Sequence, residues 1–296
     1  MAVRTQLSDP QLISRSRATL GEGPVWDDRA QRLYWVDIER GELHFSGADG
    51  AGEAAVAIGG HICCIALRRN GSGLVAGLER TIARIELDPL VITPLADFGA
   101  LPPTVRCNDG KCDAAGRFWV GTYNRDNTAA TGWLYRYVAG GAPQRTAGPF
   151  ICTNGPAFSP DGAFLYCVDS YGRRIDRWRL DPGGALRDPA VLAHFDATDC
   201  GYPDGLTCDA EGCLWVAEWG AARVSRLSPA GERLEVIRLP AKQPTSCTFG
   251  GPNLRRLFVT SAAQGLAGDD GDDSPDGGLF AVDLAVPGLP AERFAT

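Results

Sequence analysis

The chain has 296 residues, with 29 Lys plus Arg against 36 Asp plus Glu, giving a formal charge of −7. That balance argues against nucleic-acid and anionic-membrane partners, since both require a basic face, and no run of about 18 apolar residues exists to span a bilayer. Gly (37) and Pro (20) are plentiful and Met occurs once, which describes short strands and tight turns rather than long helices.

The opening residues, MAVRTQLSDP, lack the apolar stretch of a signal peptide. A cytoplasmic protein is therefore expected, and its ten cysteines are read as thiols. No Cys-x-x-Cys occurs, and Cys152, Cys167 and Cys247 sit in apolar runs, where a thiol packs as a small hydrophobe.

QLISRSRA (11–18) is a strand-like run with no obvious partner nearby in sequence. Six related runs follow: RLYWVDI from 32, GLVAGL from 73, RFWVGTY from 117, FLYCVDS from 164, CLWVAEW from 213 and RLFVTSA from 256. Their starts are 41, 44, 47, 49 and 43 residues apart, the length of one four-stranded propeller blade. Each is preceded by a turn signal, among them Asp27-Asp28, Asn70-Gly71, Asp113-Ala-Ala-Gly116 and Asp209-Ala-Glu-Gly212. The expected fold is all-β, a six-bladed propeller forming a single domain over residues 1–296. Residues 11–18 are expected to join the last blade and close the ring, which would otherwise leave an open strand edge. The acidic run 269–276 lacks the alternating ligand positions of a calcium loop and is read as a solvated loop of blade six.

Just before four of the turns, one polar residue recurs in register. Glu22 lies 13 residues before Trp35, Asn108 lies 11 before Trp119, Asn154 lies 12 before Tyr166, and Asp204 lies 11 before Trp215. Equivalent positions of a propeller converge on its axis. Two carboxylates and two amides aimed at one point would repel or go unsatisfied without a cation between them. Oxygen donors suit Ca²⁺, Mg²⁺ or Mn²⁺, and they do not exclude Zn²⁺ or Fe²⁺. No His falls at an equivalent position, apart from His61 near the start of blade two, which is expected at the pocket mouth.

The segments LGEGPVW from 20, RCNDGKCDAAGRFWVGT from 106, TNGPAFSPDG from 153, YPDGLTCDAEGCLWVA from 202 and TSCTFGGPNLRRLFVT from 245 carry a resemblance that covers almost the whole chain. Together they resemble the senescence marker protein/gluconolactonase/luciferin-regenerating enzyme family. That resemblance implies a six-bladed propeller with one divalent metal, hydrolysing sugar-acid lactones in many members. It also implies that Glu22, Asn154 and Asp204 are the metal ligands and that Arg106 and Asn108 contact substrate. Asp126 stands where many animal members have glutamate, which points to a different sugar contact.

The expected activity is metal-dependent hydrolysis of a lactone such as glucono-, xylono- or arabinonolactone. Asp204 would be its general base, and Arg106, Asn108, Asp126 and His61 would face the substrate. Tyr123 and Trp219 are candidates to stack on a sugar face. The rivals are a promiscuous esterase or organophosphate hydrolase and a non-catalytic calcium-binding propeller. A small-molecule partner and a monomer or weak homo-oligomer are expected.

Overall fold

The computed structural model describes residues 5–199, 201–266 and 274–296. Six four-stranded antiparallel sheets make a six-bladed β-propeller, and among the described residues the only helical segments are two single 3₁₀ turns, Ala197–Asp199 and Pro252–Leu254. No helix among them is long and apolar enough to cross a membrane.

Five blades are meanders of consecutive strands. Blade 1 starts with Gly21–Asp27, blade 2 with Ile62–Leu67, blade 3 with Val105–Cys112, blade 4 with Thr153–Phe158 and blade 5 with Tyr202–Cys208. These inner strands line the central channel, and the runs recognised by their repeat are the second strands packed behind them. The sixth sheet takes Pro244–Gly250, Arg256–Ser261 and Leu279–Asp283 from one end of the chain and Gln11–Ser14 from the other. Gln11 pairs with Ala281 and Leu12 with Phe280.

The near-copies CDAAG and CDAEG have a physical cause. Asp113 caps its own turn by accepting the Arg117 N–H, and its Oδ2 accepts the Trp119 indole N–H at 2.8 Å. Asp209 does the same for Cys213 and for Trp215, at 2.9 Å. One buried carboxylate therefore ends the inner strand and fixes the aromatic of the next. Trp119 and Trp215 are fully buried and reach the adjacent blade, edge-on to Phe158 and Phe249 respectively. The nine described cysteines are all buried and free, and Cys200 lies outside the described residues.

The inner strands are irregular where they matter. In blade 1, Gly23 and Pro24 together face one residue, between the pairs Glu22–Val36 and Val25–Tyr34. The same two-against-one bulge occurs between Cys107 and Gly110, between Asn154 and Ala157, and between Pro203 and Leu206. A bulge bends the strand and re-aims its side chains. These four blades are the ones that carry Glu22, Asn108, Asn154 and Asp204.

The ends of the chain brace the ring. Thr5 and Gln6 donate backbone N–H groups to Glu235 of blade 5. Beyond Asp283 the chain crosses the opposite face from the site described below. Ala210 N–H meets Pro287, Phe294 exchanges backbone hydrogen bonds with Leu67 and Arg69, and Ala295 N–H meets Gly116. Phe294 stacks on Tyr137 with centroids 5.6 Å apart, and Arg293 reaches Asp27 and Asp28 at 2.6 Å each. Of the acidic run, residues 269–273 lie outside the described residues. Ser274 and Asp276 are buried, contrary to the solvated loop expected, because Asp276 Oδ1 is the acceptor for the Lys242 N–H.

Removing residues 1–18 strips the outer strand from blade six and the Glu235 contacts from blade five. The melting temperature is expected to fall by roughly 5 to 10 °C in one cooperative transition. An unchanged midpoint in calorimetry would show that the terminal strand contributes nothing to the ring.

Candidate metal and substrate site

At one mouth of the channel lies a cavity of about 320 Å³. Glu22, Asn154 and Asp204 line it, with Arg106 and Asn108 from blade 3. All five are buried, Arg106 to 1% exposure. The strands that deliver them are held from behind. Asp37, at the end of the second strand of blade 1, accepts the N–H groups of Thr19 and Leu20 at the approach to Glu22. Asp169 does the same in blade 4 for Ile151 and Cys152, before Asn154.

The amides are locked in orientation. Asn154 Nδ2 donates to Ser170 Oγ at 2.9 Å, while its Oδ1 accepts from Asn108 Nδ2 at 2.9 Å. Asn108 Nδ2 also donates to the Thr153 carbonyl at 2.8 Å, and Asn108 Oδ1 accepts from Arg106 at 3.1 Å. The Arg106 guanidinium sits 4.7 Å above the Tyr123 ring and 3.8 Å from Glu39. Its Nε–H is buried and has no hydrogen-bond partner among the described residues.

The carboxyls are in the opposite condition. Burial pushes Glu22 and Asp204 well above the usual carboxylate range, and the charges of Glu22 and Asp109 raise Asp204 further. Asp109, buried next to Asn108, is raised by the same loss of water. The Gly23 N–H and Arg106 offset part of this for Glu22, Lys111 and backbone N–H groups for Asp109, and the Gly205 N–H for Asp204. Such a donor set fits a hard divalent cation, which would supply the missing positive charge. Glu22, Asn154 and Asp204 are the residues that would hold it. No group of three His, Cys, Asp or Glu side chains suited to a metal occurs among the described residues; the set here is two carboxylates and an amide.

The cavity wall is aromatic. Tyr123 and Trp219 line it, as do Tyr171 and Tyr202, whose rings are 5.3 Å apart. Asn127 donates to the Tyr171 hydroxyl at 3.0 Å. Two residues expected to face substrate do not line the cavity. Asp126 is exposed in the turn after Phe118–Asn124, where its N–H meets Asn124 Oδ1, and its neighbour Asn127 takes the lining position. His61 lies between Glu39 and Glu79, at 3.7 and 3.4 Å, and reaches the site through the Glu39–Arg106 pair and through Glu79, whose carbonyl accepts the Cys107 N–H. Asp109, Ser170, Tyr171 and Tyr202 were not singled out from the sequence.

Residues 20–263 match the protein-family model described as the SMP-30/Gluconolactonase/LRE-like region. The chain is 35% identical over 284 residues to a 6-deoxy-6-sulfogluconolactonase of Pseudomonas putida, covering 96% of this chain and 97% of that one. It is 36% identical to an L-arabinolactonase of Azospirillum brasilense, over 96% of this chain and 95% of the other. Among solved structures it superposes on a calcium-binding protein, regucalcin, from Agrobacterium tumefaciens with a TM-score of 0.92 at 28% identity, each chain fully covered. With the propeller and its matched segments in place, the chain belongs to the SMP-30/gluconolactonase/LRE-like family.

Proposed function

We propose that the protein hydrolyses a sugar-acid lactone to the aldonic acid, with one divalent cation held by Glu22, Asn154 and Asp204. The observation that carries this reading is the convergence of two charge-deficient carboxyls, a locked amide and a buried arginine on one aromatic-walled cavity. Family relatives named for lactonase activity on two different sugars support the reaction class.

When bound, the cation supplies Lewis acidity toward the lactone carbonyl. Asp204 accepts a proton from the water that adds to the carbonyl carbon. The ring C–O bond then breaks, and the ring oxygen leaves as a hydroxyl carrying the proton returned by Asp204. Glu22 serves as a ligand. Arg106 donates to a lactone oxygen and steadies the negative charge that develops there. Asn108 fixes the Asn154 amide, so that the Asn154 oxygen keeps one orientation. Tyr123 and Trp219 flank the sugar ring.

Proton release from pentono- and hexonolactones, measured beside paraoxon, tests the proposal. Turnover of at least one aldonolactone is expected, lost with chelator and restored by one of Ca²⁺, Mn²⁺, Mg²⁺, Zn²⁺ or Fe²⁺. Chelator-resistant turnover would remove the cation from the mechanism. Tight cation binding with no turnover of any ester would favour a binding protein, the reading suggested by the regucalcin neighbour.

Variants divide the roles further. Glu22→Gln keeps an oxygen but loses a charge, so its rate should recover as metal is raised. Asp204→Asn also keeps an oxygen, yet an amide cannot take a proton; its rate should stay about 100- to 10,000-fold low at saturating metal. Equal rescue of both would make Asp204 a ligand only.

Lysine cannot reproduce the planar fork of arginine. Arg106→Lys is therefore expected to lose most lactonase activity while cation affinity, measured by calorimetry, stays within about twofold, since its charge is retained. Full activity would return Arg106 to a purely structural place.

A further inference from the structure

The inner strand of blade 3 reaches beyond its own blade. Asp109, within its bulge, accepts the Gly110 N–H through Oδ1 at 2.7 Å and the Gly155 N–H through Oδ2 at 2.9 Å. That second bond crosses to blade 4 and grips the residue immediately after Asn154. Two residues further on, Lys111 extends down the channel and donates from Nζ to the Leu206 carbonyl at 3.0 Å. Leu206 lies in blade 5, two residues after Asp204, where regular pairing resumes. One short stretch of blade 3 thus ties down the bulge of blade 4 that carries Asn154 and, one blade further on, the bulge of blade 5 that carries Asp204.

Those bulges need outside support. A bulge leaves backbone groups without their ladder partners, so its shape depends on other hydrogen bonds. The fit around them is also close. A Cβ on Gly155 would stand 2.5 Å from Leu206 Cδ2, and one on Gly205 would stand 2.8 Å from Ser246 Cα. A displaced Gly155 or Leu206 would shift Asn154 or Asp204 with it.

We propose that Asp109 and Lys111 are positioning residues, holding the Asn154 and Asp204 bulges in the geometry that binds the cation. The inference rests on the cation site proposed above. Groups that orient ligands without touching the metal commonly change affinity by 10- to 100-fold. Lys111 offers the cleaner test, because its two influences on a bound cation have opposite signs. As a positive charge in the channel it repels the cation, and removing it should tighten binding. As the anchor of Leu206 it orders the site, and removing it should weaken binding.

Manganese(II) alone, titrated into the whole protein by calorimetry and followed by electron paramagnetic resonance, separates these effects. Lys111→Met is expected to bind Mn²⁺ about 10- to 100-fold more weakly, with an altered spectrum for the ion that does bind. Asp113→Asn serves as the control: it loosens a turn of the same blade, so its melting temperature should fall while Mn²⁺ affinity stays within about twofold, as no ligand-orienting contact is lost. Unchanged or tighter binding by Lys111→Met overturns the proposal, and so does an equal loss of affinity in Asp113→Asn. Should Lys111→Met not fold, Lys111→Gln, shorter and still polar, carries the same comparison. A wild-type protein that binds no Mn²⁺ would remove the cation site itself and this inference with it. Wild-type binding unaffected by the Lys111 substitutions would remove only the inference.

Discussion

Like charge buried on an axis is the constraint around which this molecule is arranged. Glu22, Asp109 and Asp204 come from three blades and are buried together on the channel. Two unit charges about 4 Å apart cost roughly 4 kcal/mol at an effective dielectric of about 20. That is a large part of the roughly 5 to 15 kcal/mol by which folded domains are stable. The compensation is uneven: backbone N–H groups and Lys111 serve Asp109, the Gly23 N–H and Arg106 serve Glu22, and Asp204 has a backbone N–H from Gly205. A site left short of positive charge in this way is prepared for a cation, and the neutral amide of Asn154 adds a donor without adding to the repulsion.

The propeller makes that arrangement possible because its inner strands all run toward the same axis. Their bulges do the aiming. Blades 1, 3, 4 and 5 place two residues against one at the cavity, whereas the irregularities of blades 2 and 6 leave only Cys63 and Thr245 unmatched. The behaviour of the rest of each blade is more ordinary. In blades 3 and 5 a carboxylate ends the inner strand and holds an indole that fills the gap to the next blade, and in blades 1 and 4 a carboxylate at the far end of the second strand fixes the incoming loop.

Much of this was readable before any coordinates. The spacing of the RLYWVDI-like runs is a direct record of blade length, since every blade must span the same radius with four strands. The alignment of Glu22, Asn108, Asn154 and Asp204 is a record of the bulges, because an extra residue inserted at the same place keeps the count to the following aromatic nearly constant. Asp109 escaped notice because Asn-Asp-Gly reads as a turn, and only the fold reveals that its carboxylate reaches Gly155 in another blade. Tyr171 lies just beyond its strand, where loop geometry decides which ring faces the cavity, and Tyr202 opens the inner strand of blade 5, where nothing in its sequence marks it as a lining residue. Asp126 and Asn127 differ by one position, and a turn of that kind turns one inward and the other to solvent. The burial of Asp276 came from a long-range acceptor role, on the Lys242 N–H, that acidic composition conceals.

The sixth sheet also has a consequence for how the protein is made. Ser8 Oγ accepts the Asp283 N–H across 275 residues, and the chain beyond Asp283 then crosses the ring to reach blades 5, 2 and 3. On a ribosome moving at about 5 to 20 residues per second, the first strand waits roughly 15 to 60 s for its partner to be synthesised. Blades 1 to 5 can each zip as local meanders during that interval, yet the channel stays open at one side. For that time Gln11–Ser14 has no sheet to join, and the edge of each newest blade is bare. A bare strand edge therefore persists from the first completed blade until the arrival of Leu279–Asp283 lets the ring shut.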